Sequence, residues 1–323
     1  MSDGHKRSSF ALKPLTATTR RASLQTLGCR LNQYETNSIR DKLEAAGYTI
    51  VSFDAEADLT VINTCTVTNT ADAKSRNAIR RFTRRNPLAV TVVVGCYSQV
   101  GYKAIAEIPG VDYIIGNNDK LNLLDYLGED KVERPVIIRD RIDREDFSVN
   151  FVGEAPFKQR ANFKIQDGCD FMCSFCIIPF SRGRARSREF NNLQEEARSL
   201  AGRGAREFVL TGVNLGEYFN SGKDITSVID ALNEIDGVDR IRISSIEPTT
   251  IPEELFPRMA APEHALLPFL HVPLQAGCDR TLERMHRKYV VKEVVQFIES
   301  AVELIPNLCV GTDLMVQDLC PAV

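Results

Sequence analysis

The sequence predicts an α/β protein, with an N-terminal parallel-sheet α/β domain followed by a second, curved parallel sheet. Short apolar runs rich in β-branched residues alternate with segments of helical periodicity, and this order is typical of parallel strands joined by helices. The alternation stops at a charge-dense stretch and then restarts. With 323 residues the chain is long enough for about two domains, one for each run of strands and helices.

The first domain is predicted over residues 23–138, after a flexible basic tail at 1–22. Val90–Val94 contains only β-branched residues, as expected for a buried parallel strand. Ile39 and Leu43 are four residues apart, which places them on one face of a helix. The predicted strands are 22–27, 58–63, 90–94 and 111–115, and the predicted helices are 34–46 and 71–82.

The second domain is predicted over residues 161–323, after an inter-domain linker at 139–160 in which dense mixed charges show no sustained period. Its predicted strands are 162–166, 207–211, 240–244, 268–272 and 309–316, and its predicted helices are 192–201, 225–235 and 291–304. Five successive strand–helix steps favour a curved parallel sheet, which is either a partial barrel or a doubly wound sheet.

The composition excludes several classes of protein. Hydrophobic residues make up 43% of the chain and charged residues 26%, which argues against disorder. No stretch approaches about 18 uninterrupted apolar residues, so no membrane span is expected. Nine cysteines in a chain without a recognisable signal peptide indicate a reduced, cytoplasmic protein, in which clustered cysteines bind metal or take part in chemistry. We expect a monomer.

Three cysteines form a Cys-x3-Cys-x2-Cys pattern at Cys169, Cys173 and Cys176. They follow the first predicted strand of the second domain, at the end of the sheet where parallel-sheet enzymes place their reactive groups. Three thiolates in one short loop can bind three irons of a cubane and leave the fourth iron open, since thiolates select iron–sulfur clusters and other soft metals. The alternatives are a zinc site that lacks a fourth ligand and unrelated buried cysteines.

Three further cysteines stand at equivalent positions of the first domain. Cys29, Cys65 and Cys96 each come just after a predicted strand. Because the carboxyl ends of parallel strands lie along one edge of a sheet, we expect these thiols to converge into a second three-cysteine cluster. Gly28 and Gly95 would let the backbone turn sharply before two of them. The alternative is a buried cysteine that acts as a small hydrophobic residue. That alternative is favoured for the scattered cysteines Cys278, Cys309 and Cys320.

Several segments together are similar to a known enzyme family. The Cys-x3-Cys-x2-Cys loop, with Phe175 before its last cysteine, resembles the radical S-adenosylmethionine (radical SAM) superfamily. With TLGCRLNQYET, NTCTVT and GCYSQ upstream, the chain resembles the methylthiotransferases. The segments KIQDGCDFMCSFCIIPFSRGRARSR and HVPLQAGCDRTLERMHRKY are most similar to the threonylcarbamoyladenosine tRNA methylthiotransferase branch. The resemblance covers residues 23–316.

The resemblance implies a partial (β/α) radical-SAM barrel and a 4Fe-4S cluster in the Cys-x3-Cys-x2-Cys loop, whose open iron binds S-adenosylmethionine. Reduction of that cluster would release a 5′-deoxyadenosyl radical, which abstracts hydrogen from C2 of a modified adenosine beside the tRNA anticodon. A second 4Fe-4S cluster at Cys29, Cys65 and Cys96 would carry or donate the sulfur, and a second S-adenosylmethionine would supply the methyl group. The expected reductant is a flavodoxin or ferredoxin, and the protein positions the cofactors and excludes water and oxygen.

Seven residues outside the cysteines are candidates for binding S-adenosylmethionine. The resemblance places contacts to the methionine moiety at the end of the second barrel strand, and residues at the next two strand ends could contact ribose or adenine. Loop capping and helix starting are the alternatives. An arginine after the cluster loop could bind the S-adenosylmethionine carboxylate or RNA phosphate, because its guanidinium is bidentate. The candidates are Thr211, Gly212, Asn214, Ser245, Glu247, Gln275 and Arg182.

Two basic segments suggest a polyanionic partner, which the resemblance identifies as the anticodon loop of a tRNA. Six basic residues and no acid lie between Lys74 and Arg85 and could bind phosphates of the anticodon stem. Four arginines alternate along the loop that follows the second cysteine set. They are Arg182, Arg184, Arg186 and Arg188. The alternative for the basic segments is a solvated, charged surface.

The C-terminal residues depart from the family pattern. After Val310–Asp313 the family usually continues with Gly-Phe-Pro-Gly-Glu, whereas this sequence reads Gln-Asp-Leu-Cys-Pro from Gln317. We therefore expect a barrel that lacks its last strand, without the C-terminal RNA-binding domain. Three alternative functions stay open: a methylthiotransferase for isopentenyl-adenosine in tRNA, one for a ribosomal protein, and an inactive iron–sulfur or RNA-binding remnant.

Overall fold

The computed structural model of the protein describes residues 20–315 except residues 129, 143 and 152–158. Most of the predicted basic tail, part of the predicted linker and the end of the last predicted strand lie outside the described residues. The described part has the α/β architecture that the sequence predicts, with parallel strands and helices alternating in two successive domains.

Six strands of the described chain form the first sheet. They are β1 (Arg21–Thr26), β2 (Thr49–Val51), β3 (Leu59–Thr64), β4 (Val90–Gly95), β5 (Tyr113–Ile115) and β6 (Val136–Ile138). All are parallel, in the order β2-β1-β3-β4-β5-β6. The helices are α1 (Arg30–Ala45), α2 (Asn69–Arg85), α3 (Cys96–Val100) and α4 (Tyr102–Ala106), and a 3-10 helix follows at Lys120–Asp125. Every residue of β3 and β4 is buried, which explains why neither strand contains a charged residue.

The first helix begins earlier than the sequence predicts. α1 starts at Arg30 rather than at residue 34. Its first two turns bury the polar residues Asn32, Glu35 and Thr36 beside Leu31 and Tyr34, which obscures the apolar period that marks a helix. The sequence also does not predict β2 and β6, which are three residues long and lie at the two edges of the sheet. Among the described residues no helix is long and apolar enough to cross a membrane.

The second domain repeats the alternation of strands and helices. Its strands are β7 (Arg160–Lys164), β8 (Gln166–Asp167), β9 (Arg186–Ser187), β10 (Glu207–Thr211), β11 (Phe219–Asn220), β12 (Lys223–Asp224), β13 (Arg240–Ile243), β14 (Phe269–His271) and β15 (Cys309–Gly311). Its helices are α5 (Ile178–Ser181), α6 (Phe190–Gly202), α7 (Ile225–Asn233), α8 (Leu255–Ala260), α9 (Asp279–Arg284) and α10 (Val291–Leu304), with 3-10 helices at Leu215–Glu217 and Pro248–Thr250.

The strands of the second domain follow one another as in a partial barrel. β10 lies between β7 and β13 in a parallel sheet, and β14 pairs in parallel with β15. A parallel bridge between Ile241 and Leu266 lies between these two groups. The predicted α/β class is therefore confirmed, and β10 and α10 have the predicted bounds.

Alternate residues of β7 face the helices and the first domain, as the two-residue period of a strand requires. Phe163 packs edge to face on Phe208 inside the core, with ring centroids 5.4 Å apart. Asn162 and Lys164 instead contact α1, where the Asn162 amide lies 3.2 Å from the side chain of Gln33. One strand of the barrel thus contacts both the core and the first domain.

A buried ion network joins the two domains. Glu35 of α1 accepts hydrogen bonds from Lys164 at 2.9 Å and from Arg182 at 3.0 Å. The Lys120 ammonium lies 2.5 Å from the other oxygen of Glu35. Asp167 of β8 pairs with the same two partners, Lys164 at 2.6 Å and Arg182 at 3.0 Å. None of these five side chains is more than 5% exposed.

The cations of this network hold both carboxyl groups in their ionised form. Burial would raise the pKa of Glu35, but Arg182, Lys120 and Lys164 outweigh it and hold this pKa well below its usual range. Lys164 and Arg182 do the same for the pKa of Asp167. Burial lowers the pKa of Lys120 to about 8 in spite of the adjacent Glu35. Lys120, Lys164 and Arg182 therefore share two carboxylates, and the buried Arg186 also lies 3.8 Å from Asp167.

The network predicts a large loss of stability when Glu35 is neutralised. Glu35→Gln would leave three buried cations with one carboxylate, and removing one partner of a buried ion pair costs about 3–5 kcal/mol. We expect the free energy of unfolding, measured by urea denaturation at neutral pH, to fall by this amount. The matched control is Glu56→Gln, because Glu56 pairs with Arg21 at the surface and should change stability by less than about 1 kcal/mol.

The same variant should alter the dependence of stability on pH. A carboxyl group whose pKa is lowered by folding stabilises the protein above its unfolded pKa, which is 4.5 for this glutamate. That stabilisation is lost as the pH falls further. Between about pH 5 and pH 3 the parent should lose more unfolding free energy than Glu35→Gln. Equal losses in the two proteins would contradict the ion network.

Candidate functional site

Three cysteines meet at the carboxyl edge of the first sheet. Cys29 follows β1, Cys65 follows β3, and Cys96 begins α3 directly after β4. These three strands are neighbours in the sheet, and their registers align their ends. The Cys65 thiol interacts electrostatically with both Cys96 and Cys29. The structure therefore brings together the three thiols that the sequence predicts to converge.

Two glycines allow these cysteine loops to approach one another. Gly28 and Gly95 have φ angles of +99° and +97°, in a region that residues with side chains rarely adopt. A Cβ on Gly28 would lie 2.8 Å from the Cβ of Cys65, and one on Gly95 would lie 2.5 Å from the carbonyl oxygen of Thr64. Both distances are too short for nonbonded atoms, so a larger residue would push the loops apart.

The three thiols have a cation beside them. Burial raises the pKa of the Cys65 thiol, and the neighbouring thiols raise it further. Burial would lower the pKa of the Arg182 guanidinium, but Cys96 and the carboxylates of the ion network hold it well above its usual value. Buried thiols of this kind ionise when a metal ligates them. Arg182 would then lie beside the resulting negative charge.

The second cysteine set lies in the loop between β8 and α5, after the first barrel strand. Cys169 and Cys173 are buried, Cys176 is partly buried, and all three pack with Phe171 and Val213. The backbone N–H of Phe171 donates to Cys169 Sγ at 3.3 Å. Apolar cover and hydrogen bonds to sulfur suit an iron–sulfur cluster, because they limit solvent access and stabilise the charge on its ligands.

Arg287 is a site residue that the sequence analysis does not single out, although it lies in the HRKY segment. Its buried guanidinium donates to Cys173 Sγ at 3.2 Å. The same guanidinium contacts the Glu247 carboxylate and donates to Tyr289 Oη at 2.7 Å. These two partners fix the cation beside the thiol, where it can stabilise a thiolate.

The end of β10 and the loop that follows it contain three of the candidates for S-adenosylmethionine, Thr211, Gly212 and Asn214. Gln166 holds this loop, since its side-chain oxygen accepts from the backbone N–H of Val213 at 2.8 Å and of Asn214 at 3.2 Å. Among the described residues, Thr211 Oγ1 and Asn214 Nδ2 are buried without a hydrogen-bond partner. Buried polar atoms are rarely left unpaired, so these two are suited to contact a bound ligand.

Glu247 links this loop to the second cysteine set. Its backbone N–H donates to Asn214 Oδ1 at 3.2 Å, while its carboxylate contacts Arg287. Burial raises the pKa of Glu247, although Arg287 acts in the opposite direction. Gln275 follows β14 with a φ angle of +72°, and its backbone pairs with Asp313 rather than with this loop.

A cavity of about 480 Å³ connects the two halves of the molecule. Cys29 and Arg30 of the first domain form one wall. Thr211, Gly212 and Ser245, at the carboxyl ends of barrel strands, form another. The cavity thus lies between the first cysteine set and the predicted S-adenosylmethionine residues.

The structure places Arg182 differently from the prediction. The sequence suggested that it binds the S-adenosylmethionine carboxylate or an RNA phosphate. Its guanidinium is instead 1% exposed, and its donors bind the side chains of Glu35, Asp167 and Asn32. Glu35 precedes Arg182 by 147 residues, so this contact depends on the packing of two domains and has no local sequence signal.

The rest of the arginine loop also points largely inward. Arg188 is buried and contacts Glu196, and Arg186 is buried beside Asp167. Arg184 is partly exposed and lies 3.6 Å from the Asp170 carboxylate. The buried members of the loop hold the domains together and do not present a phosphate-binding surface.

The basic run of the first domain forms most of α2. Arg81 and Arg85 contact the carboxylate of Asp54, and Arg76 donates to Tyr97 Oη at 2.6 Å. The other basic members are exposed and have no ion-pair partner in the described part of the chain. They are Lys74, Arg80 and Arg84.

Within the described ranges, no group of three or more His, Cys, Asp or Glu side chains is placed to hold one metal ion. Cys278 and Cys309 are exposed and belong to neither set, and Cys320 lies outside the described residues.

Comparison with known protein families divides the chain at the same place as the fold. Residues 21–116 match the family described as Uncharacterized protein family UPF0004. Residues 163–317 match the radical SAM superfamily, which implies a 4Fe-4S cluster and S-adenosylmethionine.

Curated relatives match across both domains. The threonylcarbamoyladenosine tRNA methylthiotransferases MtaB of Aquifex aeolicus and Bacillus subtilis are 37% and 39% identical to this chain and match 92% and 91% of it. The chain spans 73% of the Aquifex relative and 66% of the Bacillus relative. A tRNA-2-methylthio-N(6)-dimethylallyladenosine synthase of Cereibacter sphaeroides is 31% identical over 92% of this chain and 69% of its own length.

Solved structures share the fold at low identity. The radical S-adenosylmethionine methyltransferase TsrM from Kitasatospora setae aligns with a TM-score of 0.60 at 17% identity, over 91% of this chain and 67% of its own. The cobalamin-dependent S-adenosylmethionine radical enzyme OxsB aligns with a TM-score of 0.56 at 11% identity, over 92% of this chain and 49% of its own. The fold, the two cysteine sets and the curated relatives agree, and the chain belongs to the tRNA methylthiotransferase family of radical SAM enzymes.

Proposed function

We propose that this chain methylthiolates tRNA by replacing the C2 hydrogen of a threonylcarbamoyladenosine beside the anticodon with a methylthio group. The cavity that places Cys29 opposite Thr211, Gly212 and Ser245 carries the proposal. A base in this cavity would have the first cysteine set on one side and bound S-adenosylmethionine on the other. Two relatives named for threonylcarbamoyladenosine are 37% and 39% identical to this chain, against 31% for one named for dimethylallyladenosine.

Cys169, Cys173 and Cys176 would hold the radical SAM cluster. When bound, the cofactors supply the radical that removes the C2 hydrogen, the sulfur that replaces it and the methyl group that caps the sulfur. Arg287 and the backbone N–H of Phe171 would stabilise the negative charge on the ligating sulfurs. The apolar side chains packed around the loop would exclude water from it.

Cys29, Cys65 and Cys96 would hold a second 4Fe-4S cluster. Support comes from the ion network beside them, in which three buried cations share two carboxylates. Three thiolates on a cubane add negative charge next to Arg182, whose pKa already responds to Cys96 and Cys29. The second cluster would thus complete the charge balance of the domain interface.

The residues at the strand ends would hold S-adenosylmethionine. Thr211 Oγ1 and Asn214 Nδ2 have hydrogen-bonding capacity left, and Gly212, Ser245 and Glu247 lie on the adjoining strand ends. Gln275 stays a predicted contact to ribose or adenine. The proposal also includes a flavodoxin or ferredoxin as reductant, a monomeric state, a cytoplasmic location and the domain bounds 23–138 and 161–323.

The proposed reaction can be tested by analysing the nucleosides of a treated tRNA. The anaerobically reconstituted chain, with a reductant and S-adenosylmethionine, should convert threonylcarbamoyladenosine in tRNA to its 2-methylthio derivative. Cys29→Ala should still cleave S-adenosylmethionine but form no methylthio product, because it changes the sulfur-donating site alone. Product on dimethylallyladenosine tRNA only would identify the other substrate, and a parent that does not cleave S-adenosylmethionine would contradict radical chemistry.

The two-cluster proposal makes a quantitative prediction for bound iron. The reconstituted chain should hold about eight irons, four for each cubane. Replacing Cys29, Cys65 and Cys96 with alanine should remove about half of them. The matched control replaces the exposed Cys278 and Cys309 and should keep the full count. An unchanged iron count in the first variant would show that these three cysteines hold no cluster.

The exposed cations of α2 predict a salt-dependent contact with tRNA. Replacing Lys74, Arg80 and Arg84 with glutamine should weaken tRNA binding, measured by fluorescence anisotropy at several salt concentrations. The slope of log K against log salt should fall by about 1 for each phosphate contact removed. Lys292→Gln, an exposed cation on α10, is the control and should change neither value. Unchanged affinity and slope in the triple variant would exclude α2 from the tRNA interface.

A further inference from the structure

Resting on the proposed function, we infer that three arginines recognise the carboxylate of the threonylcarbamoyl group. They line the cavity of about 480 Å³ beside Cys29. The three arginines are Arg30, Arg160 and Arg242. They would make the site selective for an adenosine with an anionic substituent on its amino group, and against a neutral dimethylallyl group. The relatives of this chain include enzymes named for each of these two substrates.

The arginines come from different elements and face one cavity. Arg30 is the first residue of α1, Arg160 the first residue of β7, and Arg242 lies in β13. Arg242 also lies over the ring of Phe269, with 5.0 Å between the guanidinium carbon and the ring centroid. This ring restricts one face of the guanidinium and leaves its edge for a planar, bidentate partner.

The guanidinium groups at this cavity exceed the carboxylates that neutralise them. Glu207 of β10 is 3.0 Å from Arg160, 3.4 Å from Arg242 and 3.5 Å from Arg240. One carboxylate therefore serves three guanidinium groups. Arg30 has no hydrogen-bond or ion-pair partner among the described residues. A second carboxylate in the cavity would supply the missing counter-charge.

The two candidate substituents differ in the group that this cavity would meet. Threonylcarbamoyl ends in a free carboxylate, which can accept two parallel hydrogen bonds from a guanidinium. Dimethylallyl has no charge and no hydrogen-bonding atom, so it would displace water from the arginines without replacing those hydrogen bonds. A site that hydrogen-bonds a polar group strongly rejects an analogue without that group, because its own polar atoms are left unpaired. An apolar pocket discriminates much less against a ligand with an added polar group.

The position of Cys29 relates this recognition to the reacting atom. Cys29 and Arg30 are adjacent in the chain and lie on the same wall of the cavity. The C2 atom of adenosine and the carbon that carries the substituted amino group belong to one six-membered ring, so both would enter the cavity together with the base. Binding of the carboxylate by the arginines would therefore also orient C2.

The test compares free threonylcarbamoyladenosine with its threonyl methyl ester, which differs only in having a neutral carboxyl group. Binding of each nucleoside to the reconstituted full chain is measured by equilibrium dialysis. The parent should bind the acid at least about tenfold more tightly than the ester. Arg242→Met and Arg30→Met should each reduce this ratio toward one, and Arg242→Lys should keep part of it as a point charge. Arg30 has no partner in the described fold, so its variant removes no internal contact.

Arg240→Met is the matched control. Arg240 shares Glu207 with the other arginines but does not line the cavity, so its variant should keep the full ratio of the parent. A parent that binds acid and ester equally, or cavity variants that keep the full ratio, would overturn the inference. In that case formation of methylthio product on threonylcarbamoyladenosine tRNA would show that the proposed function still holds. A parent that neither binds the acid nor modifies that tRNA would overturn both.

Discussion

The rest of the structure depends on the ion pairs that Glu35 makes across the domain boundary. Glu35 lies on α1, the helix that begins just after Cys29. Its partners Lys164 and Arg182 lie on either side of the loop that contains the second cysteine set. One buried carboxylate therefore joins the helix that follows Cys29 to the elements on both sides of the second cysteine set. Its burial would be unfavourable without these cations.

The two cysteine sets are built in different ways. Cys169, Cys173 and Cys176 are close because they share one short loop, so their proximity needs little of the fold. The other set combines residues from three strand ends and depends on the parallel order of β1, β3 and β4. This difference explains why the first set, Cys29, Cys65 and Cys96, needs glycines where the strands end, while the second set is stabilised by side chains such as Arg287.

The sequence predicts those parts of the structure in which local pattern and tertiary environment agree. β10 is buried throughout and α10 has a regular apolar period, and both have the predicted bounds. The convergence of Cys29, Cys65 and Cys96 also follows from the sequence, because parallel strands align their carboxyl ends. The start of α1 does not, since its first turns bury polar residues against the second domain.

The roles of the arginines depend on contacts that no sequence period records. The sequence predicts that Arg182 and its neighbours form an exposed, phosphate-binding loop. In the structure, Arg182 and Arg188 instead pair with carboxylates of other elements. The sequence does not single out Arg30 or Arg242, because each is one charged residue in a helix or a strand. Both nevertheless line the cavity beside Cys29. The two groups of arginines differ in how many carboxylates lie close to each guanidinium.

The central claim is that the chain holds two iron–sulfur sites, one on each side of the domain boundary that the ion network joins. Anomalous diffraction at the iron edge, from crystals of the anaerobically reconstituted chain, tests this claim most directly. We predict two iron peaks, one at Cys29, Cys65 and Cys96 and one at the Cys169–Cys176 loop. A single peak, or a second peak away from the first three cysteines, would contradict the account.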